Sequence, residues 1–350
     1  MLSLTDYLRL LPKAELHCHF VSVMRLTTLR ELATAHDVLL KTDDLDALLD
    51  YDGLPDFLDV FNAAHNVLTT GDEIARVAYE GVHDAVRDGN LRYREYFVNP
   101  DNFTSLGFEY PSLIDAMTDG LTQAKRDFGV GFRIVAAINR SLPPATAVEM
   151  VRTVIAHPRD AVVGIGQDDL TPELTEDPLR FREAYALAER HGLRRSAHAG
   201  ETMNASAQNV VDAVEVLNVD RVDHGYRVVD DAVALEKVAA SGVAFTCTPH
   251  STDMLSSWQF TPDHRIAQMI RAGLPVTFAT DDAVFFKTDI GKEYTVALPA
   301  MGFGGAEGAR IARAGFEAAW CNDDEKHELL GEVDGAIAAL NAAWKGDEAR

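Results

Sequence analysis

The tightest constraint on how this chain can fold is its rhythm. Short apolar runs alternate with longer stretches of helical periodicity along nearly the whole sequence. The apolar runs are Glu15–His19, Leu91–Val98, Phe132–Ile138, Val162–Gln167, Arg194–Gly200, Arg221–Gly225, Val243–Pro249 and Pro275–Asp282. Between them, segments such as Asp177–His191 and Asp230–Ser241 carry the 3.6-residue spacing of amphipathic helices. Several stop at glycines suited to a helix C-cap, namely Gly89, Gly192, Gly242 and Gly273. Strands separated by helices pair in parallel, and eight of them close a barrel. The expectation is therefore an α/β fold, a (β/α)8 TIM barrel. The 350 residues suit one such domain spanning 1–350, with no linker or short repeat to divide it. A last helix, Asp323–Trp344, leads into a polar tail, Lys345–Arg350.

Charge narrows the partners. A net charge of −23, with no local basic patch, argues against nucleic acid and against an anionic membrane surface. No run reaches the ~18 apolar residues of a membrane span, and the first residues lack the pattern of a secretory signal. Three widely spaced cysteines, Cys18, Cys247 and Cys321, imply no disulfide framework and fit a reducing cytoplasm. Cys18 and Cys247 read as small buried hydrophobes. Oligomeric state is left open, and a homo-oligomer is compatible with the sequence.

The connection between the first two strands is too long for one helix. Within it Leu54, Phe57, Leu58 and Phe61 fall at i, i+3, i+4 and i+7, one apolar stripe of a short helix. The stripe is either core packing or a lid. In a barrel this connection opens at the catalytic end, where helices over about 43–70 would cover the C-terminal mouth.

Polar residues interrupt the apolar runs chiefly at their C-terminal ends, where barrel active sites form. His17 and His19 end the first, His198-Ala199-Gly200-Glu201 the fifth, Asp223-His224-Gly225 the sixth, and Thr280-Asp281-Asp282 the eighth. Alternation puts His17 and His19 on one face and Cys18 on the other. Taken alone, an HxH pair in an apolar strand is as compatible with packing as with a metal. Four polar strand ends together are harder to explain structurally. Closing the barrel would bring His17, His19, His198 and Asp281 above its axis, and three imidazoles with one carboxylate suit Zn²⁺ with an open position. The fourth strand ends without the lysine of a binuclear site, which favours one metal per subunit; Asp168 or Asp169 is where a second would have to bind.

These residues resemble the adenosine deaminase family, a branch of the amidohydrolase barrels. The resemblance is carried in order by Pro12-Lys13-Ala14-Glu15-Leu16-His17-Cys18-His19, His198-Ala199-Gly200-Glu201-Thr202, Arg221-Val222-Asp223-His224-Gly225 and Val276-Thr277-Phe278-Ala279-Thr280-Asp281-Asp282. It implies that His17, His19, His198 and Asp281 hold Zn²⁺, that Glu201 moves protons to ring N1 and the leaving ammonia, and that His224 orients the attacking water. It implies further that Asp282, which alternation would turn away from Asp281, bonds purine N7, that Gly166 and Asp169 meet the substrate, and that Phe57, Leu58 and Phe61 belong to a substrate lid. The cytidine-deaminase signature H-x-E…P-C-x-x-C is absent.

The sequence departs from the family at informative places. Where relatives carry an acid that contacts the ribose 5′-hydroxyl, this chain has Val21, within Phe20-Val21-Ser22. The family's Gly-Asp-Glu after the fourth strand is replaced by Asp168-Asp169-Leu170, and Gly164-Ile165-Gly166 before it looks more like the adenine deaminase subgroup. Thr248-Pro249-His250-Ser251-Thr252 places an additional His250 near the mouth, as a solvated loop residue or a substrate contact.

The expected activity is zinc-dependent hydrolytic deamination of a 6-aminopurine in purine metabolism or salvage. Adenosine comes first, with adenine or a modified adenosine next. A barrel hydrolysing another C–N bond is a second reading. A catalytically silent purine-binding relative is a third, against which stands the retention of every ligand and of Glu201.

Overall fold

The computed structural model describes residues 2–52 and 54–344; the Lys345–Arg350 tail and the side chain of Leu54 lie outside that description. Eight parallel strands follow in chain order: β1 (Lys13–His19), β2 (Leu91–Val98), β3 (Gly131–Asn139), β4 (Val162–Asp168), β5 (Arg194–Ala199), β6 (Arg221–His224), β7 (Ala244–Cys247) and β8 (Val276–Phe278). Helices separate them, and the architecture is a (β/α)8 TIM barrel. Among the described residues no helix is long and apolar enough to cross a membrane.

The barrel closes through a loop residue. β8 stops at Phe278, short of the expected Asp282, because Asp281 adopts a left-handed φ of 63° that no strand accommodates. Its backbone nevertheless completes the ring. The His19 amide donates to the Asp281 carbonyl at 2.9 Å, and the Asp281 amide donates to the His17 carbonyl at 3.2 Å. β1 itself slips register between Glu15 and Cys18. The Glu15 carboxylate consequently meets the Thr280 hydroxyl at 2.5 Å, which in turn faces Cys18.

Other boundaries move for local reasons. β7 ends at Cys247 because Pro249 opens the helix Pro249–Ser256, as proline at a first helical turn does. The expected helix Asp177–His191 breaks into a 3-10 turn, Pro178–Phe181, and a helix, Arg182–Arg190. The helix Gly71–Gly89 opens with a Thr70/Glu73 capping box and closes on Asn90, whose φ is 54°. Gly89 is therefore not the left-handed cap; it is small because a Cβ there would sit 2.3 Å from Ile290 Cγ2. Gly192, Gly242 and Gly273 do take positive φ.

Beneath the mouth the barrel interior is filled by a buried ion pair and aromatic rings. Arg221 donates to Glu95 at 2.7 Å and lies over the Trp320 ring at 3.9 Å. Trp320 donates its amide to the same carboxylate at 2.5 Å. Phe97 packs above this plug, against the rings of both His17 and His19. Gly166 on β4 leaves room for that ring, since a Cβ would stand 2.5 Å from Phe97 Cε1.

Candidate active site

The strand ends deliver their polar side chains to one point. His17 Nε2 lies 3.1 Å and His19 Nε2 3.2 Å from Asp281 Oδ1, and His198 Nε2 lies 3.3 Å from His19 Nε2. Donor atoms of His17, His198, His224 and Asp281 all fall within 4.8 Å of one another, as do those of His19, Asp281 and Asp282. Asp281 belongs to both groups. His224, expected to orient the attacking water and not to bind metal, thus stands as close as the expected ligands. Its φ of 68° joins that of Asp281 in the left-handed region, where a non-glycine residue stores strain that a packed active site can hold.

Each imidazole has a hydroxyl or carboxylate beside its outer nitrogen, hydrogen-bonded at His17 and His224 and in charge contact at His198 and His19. The Thr246 hydroxyl donates to Asp223 at 2.7 Å, so the His17 Nδ1–H donates to Thr246 at 3.2 Å and the Nε2 lone pair faces inward. His198 Nδ1 lies 3.4 Å from Asp223, and His19 Nδ1 lies 3.5 Å from Asp168, itself held by an Asn99 amide at 2.6 Å. His224 Nδ1 meets the hydroxyls of Tyr226 at 3.2 Å and Thr248 at 3.3 Å. Carboxylates and hydroxyls behind imidazoles are the usual outer support of metal-binding histidines. The inward nitrogens of His17 and His224 are buried and hydrogen-bond to nothing among the described residues. Unpartnered imidazole nitrogens converging on a buried carboxylate fit a divalent transition metal.

Burial and neighbouring charge set the protonation of the site. Burial opposes a charged His19, but the carboxylates of Asp282, Asp281 and Asp168 outweigh it and push its pKa up to about 10: the site demands positive charge here. Burial also works against ionisation of Asp281, yet His17 and the hydrogen bonds of His17 and His19 hold its carboxyl well below the usual range. Burial, followed by the charges of Asp281 and Glu176, raises Glu201 well above it. Asp282 is raised to about 7 by burial and by Asp281. His224 is driven well below its ordinary value, first by burial, with His17 and His198 adding.

A cavity of about 310 Å³, within the range of small-molecule sites, opens onto this cluster. Glu201, Asp282, Asp169, Phe57, Leu58 and Phe61 all line it. Glu201 keeps 18 % of its side-chain exposure and lies 3.7 Å from His224. Asp281 and Asp282 both face it, so strand alternation does not separate them; the left-handed turn at Asp281 cancels that rule. Gly166 stays outside, behind Phe97. His250 is bound to Glu293 at 2.8 Å and ties the loop after β7 to the segment after β8.

Three supporting residues escaped the sequence reading. Arg140 donates to the carbonyls of Asp168 and Asp169 at 3.0 and 2.5 Å and to that of His198 at 2.9 Å, joining the ends of β4 and β5. Glu176 and Arg227 grip the loop that carries Glu201. Their work is done on backbone groups, which leaves no spacing pattern to find.

A parallel barrel whose strand ends converge imidazoles and carboxylates on one cavity defines a hydrolase of the amidohydrolase type. A family model described as adenosine deaminase matches residues 12–336. An adenine deaminase from Cupriavidus taiwanensis is 32% identical over 335 residues, covering 95% of this chain and 94% of that protein. One from Zymomonas mobilis is 30% identical over 341 residues, covering 95% and 98%. Among solved structures, an amidohydrolase from Burkhoderia ambifaria with bound Zn superposes with a TM-score of 0.88 at 31% identity, covering 98% of this chain and 96% of that one. An adenine deaminase from Arthrobacter aurescens gives 0.86 at 27% identity, covering 94% and 99%. The chain belongs to the adenosine deaminase family.

Proposed function

We propose that the protein is a zinc-dependent hydrolytic deaminase converting adenine and water to hypoxanthine and ammonia. His17, His19, His198 and Asp281 would hold one Zn²⁺, whose chemistry when bound is to lower the pKa of water and supply a nucleophile at neutral pH. The chain's own residues do the rest. Glu201, kept protonated by its surroundings, donates to ring N1, takes a proton from the attacking water, and passes it to the amine as the C6–N bond breaks and ammonia leaves. His224, kept neutral, orients the water that forms the C6–O bond. Asp282, with its carboxyl near 7, holds a proton to share with N7. The helix Leu54–Asn66 acts as a lid, with Phe57, Leu58 and Phe61 closing the cavity over the ring.

Val21 carries the choice of the free base. It is 2 % exposed and sits among Phe20, Phe97, Val98 and Phe103, outside the main cavity. The valine side chain itself offers no acceptor for a ribose 5′-hydroxyl. The names of the relatives above point the same way. Adenosine is the second reading, favoured by Asn99, Asn102, Asn139 and Asp169, which give the cavity a polar wall able to meet sugar hydroxyls. The test is kcat/KM for adenine, adenosine and 5′-deoxyadenosine on metal-analysed protein, followed by ultraviolet absorbance and ammonia release. Adenine should lead. A strong preference for adenosine over its 5′-deoxy form would sink the argument from Val21.

A further inference from the structure

Glu176 touches none of the reacting groups, yet its buried carboxylate is committed to the loop that carries Glu201. It belongs to the segment between β4 and the Arg182–Arg190 helix and is 2 % exposed. One oxygen accepts from the Gly200 amide at 2.6 Å. The other accepts from the Glu201 amide at 2.8 Å, the Thr202 amide at 2.9 Å and the Thr202 hydroxyl at 3.3 Å. Four donors from three consecutive residues converge on one side chain, and amide-to-carboxylate bonds are among the stronger kind.

The opposite side of the loop is held as firmly. Arg227 donates to the Thr202 carbonyl at 3.0 Å and to the Met203 carbonyl at 2.6 Å, while Arg140 holds the His198 carbonyl. Gly200 makes the turn at φ 71°, and a Cβ there would stand 2.5 Å from Val210 Cγ2. Glu176 is itself braced. Leu174 and Asp177 on either side take left-handed φ values of 57° and 30°, and the Thr171 and Thr175 hydroxyls pair at 2.8 Å. Strained non-glycine residues persist where the surroundings over-determine them.

We propose that Glu176 is a positioning residue: it fixes the backbone of Glu201 so that the catalytic carboxyl stays in the cavity beside His224 instead of turning to solvent. This rests on the deaminase reading of the site. The side chain of Glu201 has several rotatable bonds, and its anchoring must come from the backbone, because among the described residues its carboxyl has no hydrogen-bond partner and lies 3.7 Å from the neutral His224. Misplacing a catalytic group by about 1 Å is enough to cost roughly 10²-fold in rate.

The test is a double-mutant cycle on zinc-loaded enzyme with adenine, adenosine and 5′-deoxyadenosine as probes. Glu176→Gln removes the charge and turns an amide NH₂ toward backbone donors. Its kcat should fall roughly 10²-fold, with KM within about threefold and zinc per chain unchanged. In a Glu201→Gln background the same substitution should have almost no further effect on residual kcat, because it acts through Glu201. Losses that add in the double variant, or an unchanged kcat in E176Q, overturn the positioning role. No turnover of any probe by the wild type overturns the functional reading, and this inference with it. If E176Q does not fold, Glu176→Asp, which keeps the charge but shortens the reach, enters the cycle under the same criteria.

Discussion

Four carboxyl groups line the inner end of the cavity, and their surroundings pull them apart. Asp281 is held ionised by imidazoles, Asp168 and Asp282 are raised to about 6 and about 7, and Glu201 is raised well above its ordinary value by burial and by the charges of Asp281 and Glu176. Neighbouring acids with separated protonation are how one site assigns a ligand and a proton donor at one pH. Glu201→Gln keeps size and hydrogen bonding but not the transferable proton. It should bind zinc normally and lose about 10²–10⁴-fold in kcat; near-wild-type turnover by the metal-loaded variant would refute the assigned role. The converging His17, His19, His198 and Asp281 were legible because each ends an apolar run. Glu176 was not, for its partners are amides, and every residue but proline has one. Asp282 was legible as a neighbour of Asp281 but not in its direction, which depends on a φ that sequence does not display.

Elements were legible where periodicity is long and obscure where a cap decides. β2 runs over its expected residues, and the last helix ends within one residue of its expected stop. Asn90 displaced Gly89 as a cap because asparagine also tolerates the left-handed region, and Gly89 is small for a packing reason supplied by Ile290, two hundred residues away. Another cap predicts a pH response. The helix Arg265–Arg271 begins at His264, whose Nδ1 accepts the Ile266 amide at 3.2 Å while Nε2–H donates to the Thr252 hydroxyl at 2.9 Å. That hydroxyl is already donating to the Pro249 carbonyl, so the neutral ring is the one that fits. Burial pushes the pKa down from 6.5 to about 4. The unfolded imidazole takes its proton first, so the stability is whole above 6.5 and is lost as pH falls toward 4. The effect is on the order of 2–3 kcal/mol. Urea denaturation of wild type and His264→Ser at pH 7 and pH 4.5 measures it. The variant should lose less between the two; equal losses would contradict the assignment.

For the molecule as a whole, the eightfold alternation made the barrel legible, but not the means of its closure. β8 has three residues, and Asp281 supplies the bonds that join it to β1. The proposed metal position and the seam of the barrel therefore share a residue. A ligand that binds only the folded state stabilises it by about 4 kcal/mol at a thousandfold excess over Kd. Stripping zinc with a chelator should lower Tm by several degrees and speed hydrogen exchange at the amides of His19 and Asp281 above that at β3. Unchanged exchange at those two amides would separate the metal from the seam.

That seam also sets a schedule for synthesis. Glu15 meets Thr280 across 265 residues of chain, which a ribosome adding about 5–20 residues per second takes roughly 13–53 s to supply. For that interval the nascent protein holds β1 without its last neighbour, an open parallel edge with two histidines at its end. The helix Gly305–Ala318, which packs on both β1 and β8, follows later still, so this edge gains its pairing first and its cover afterwards.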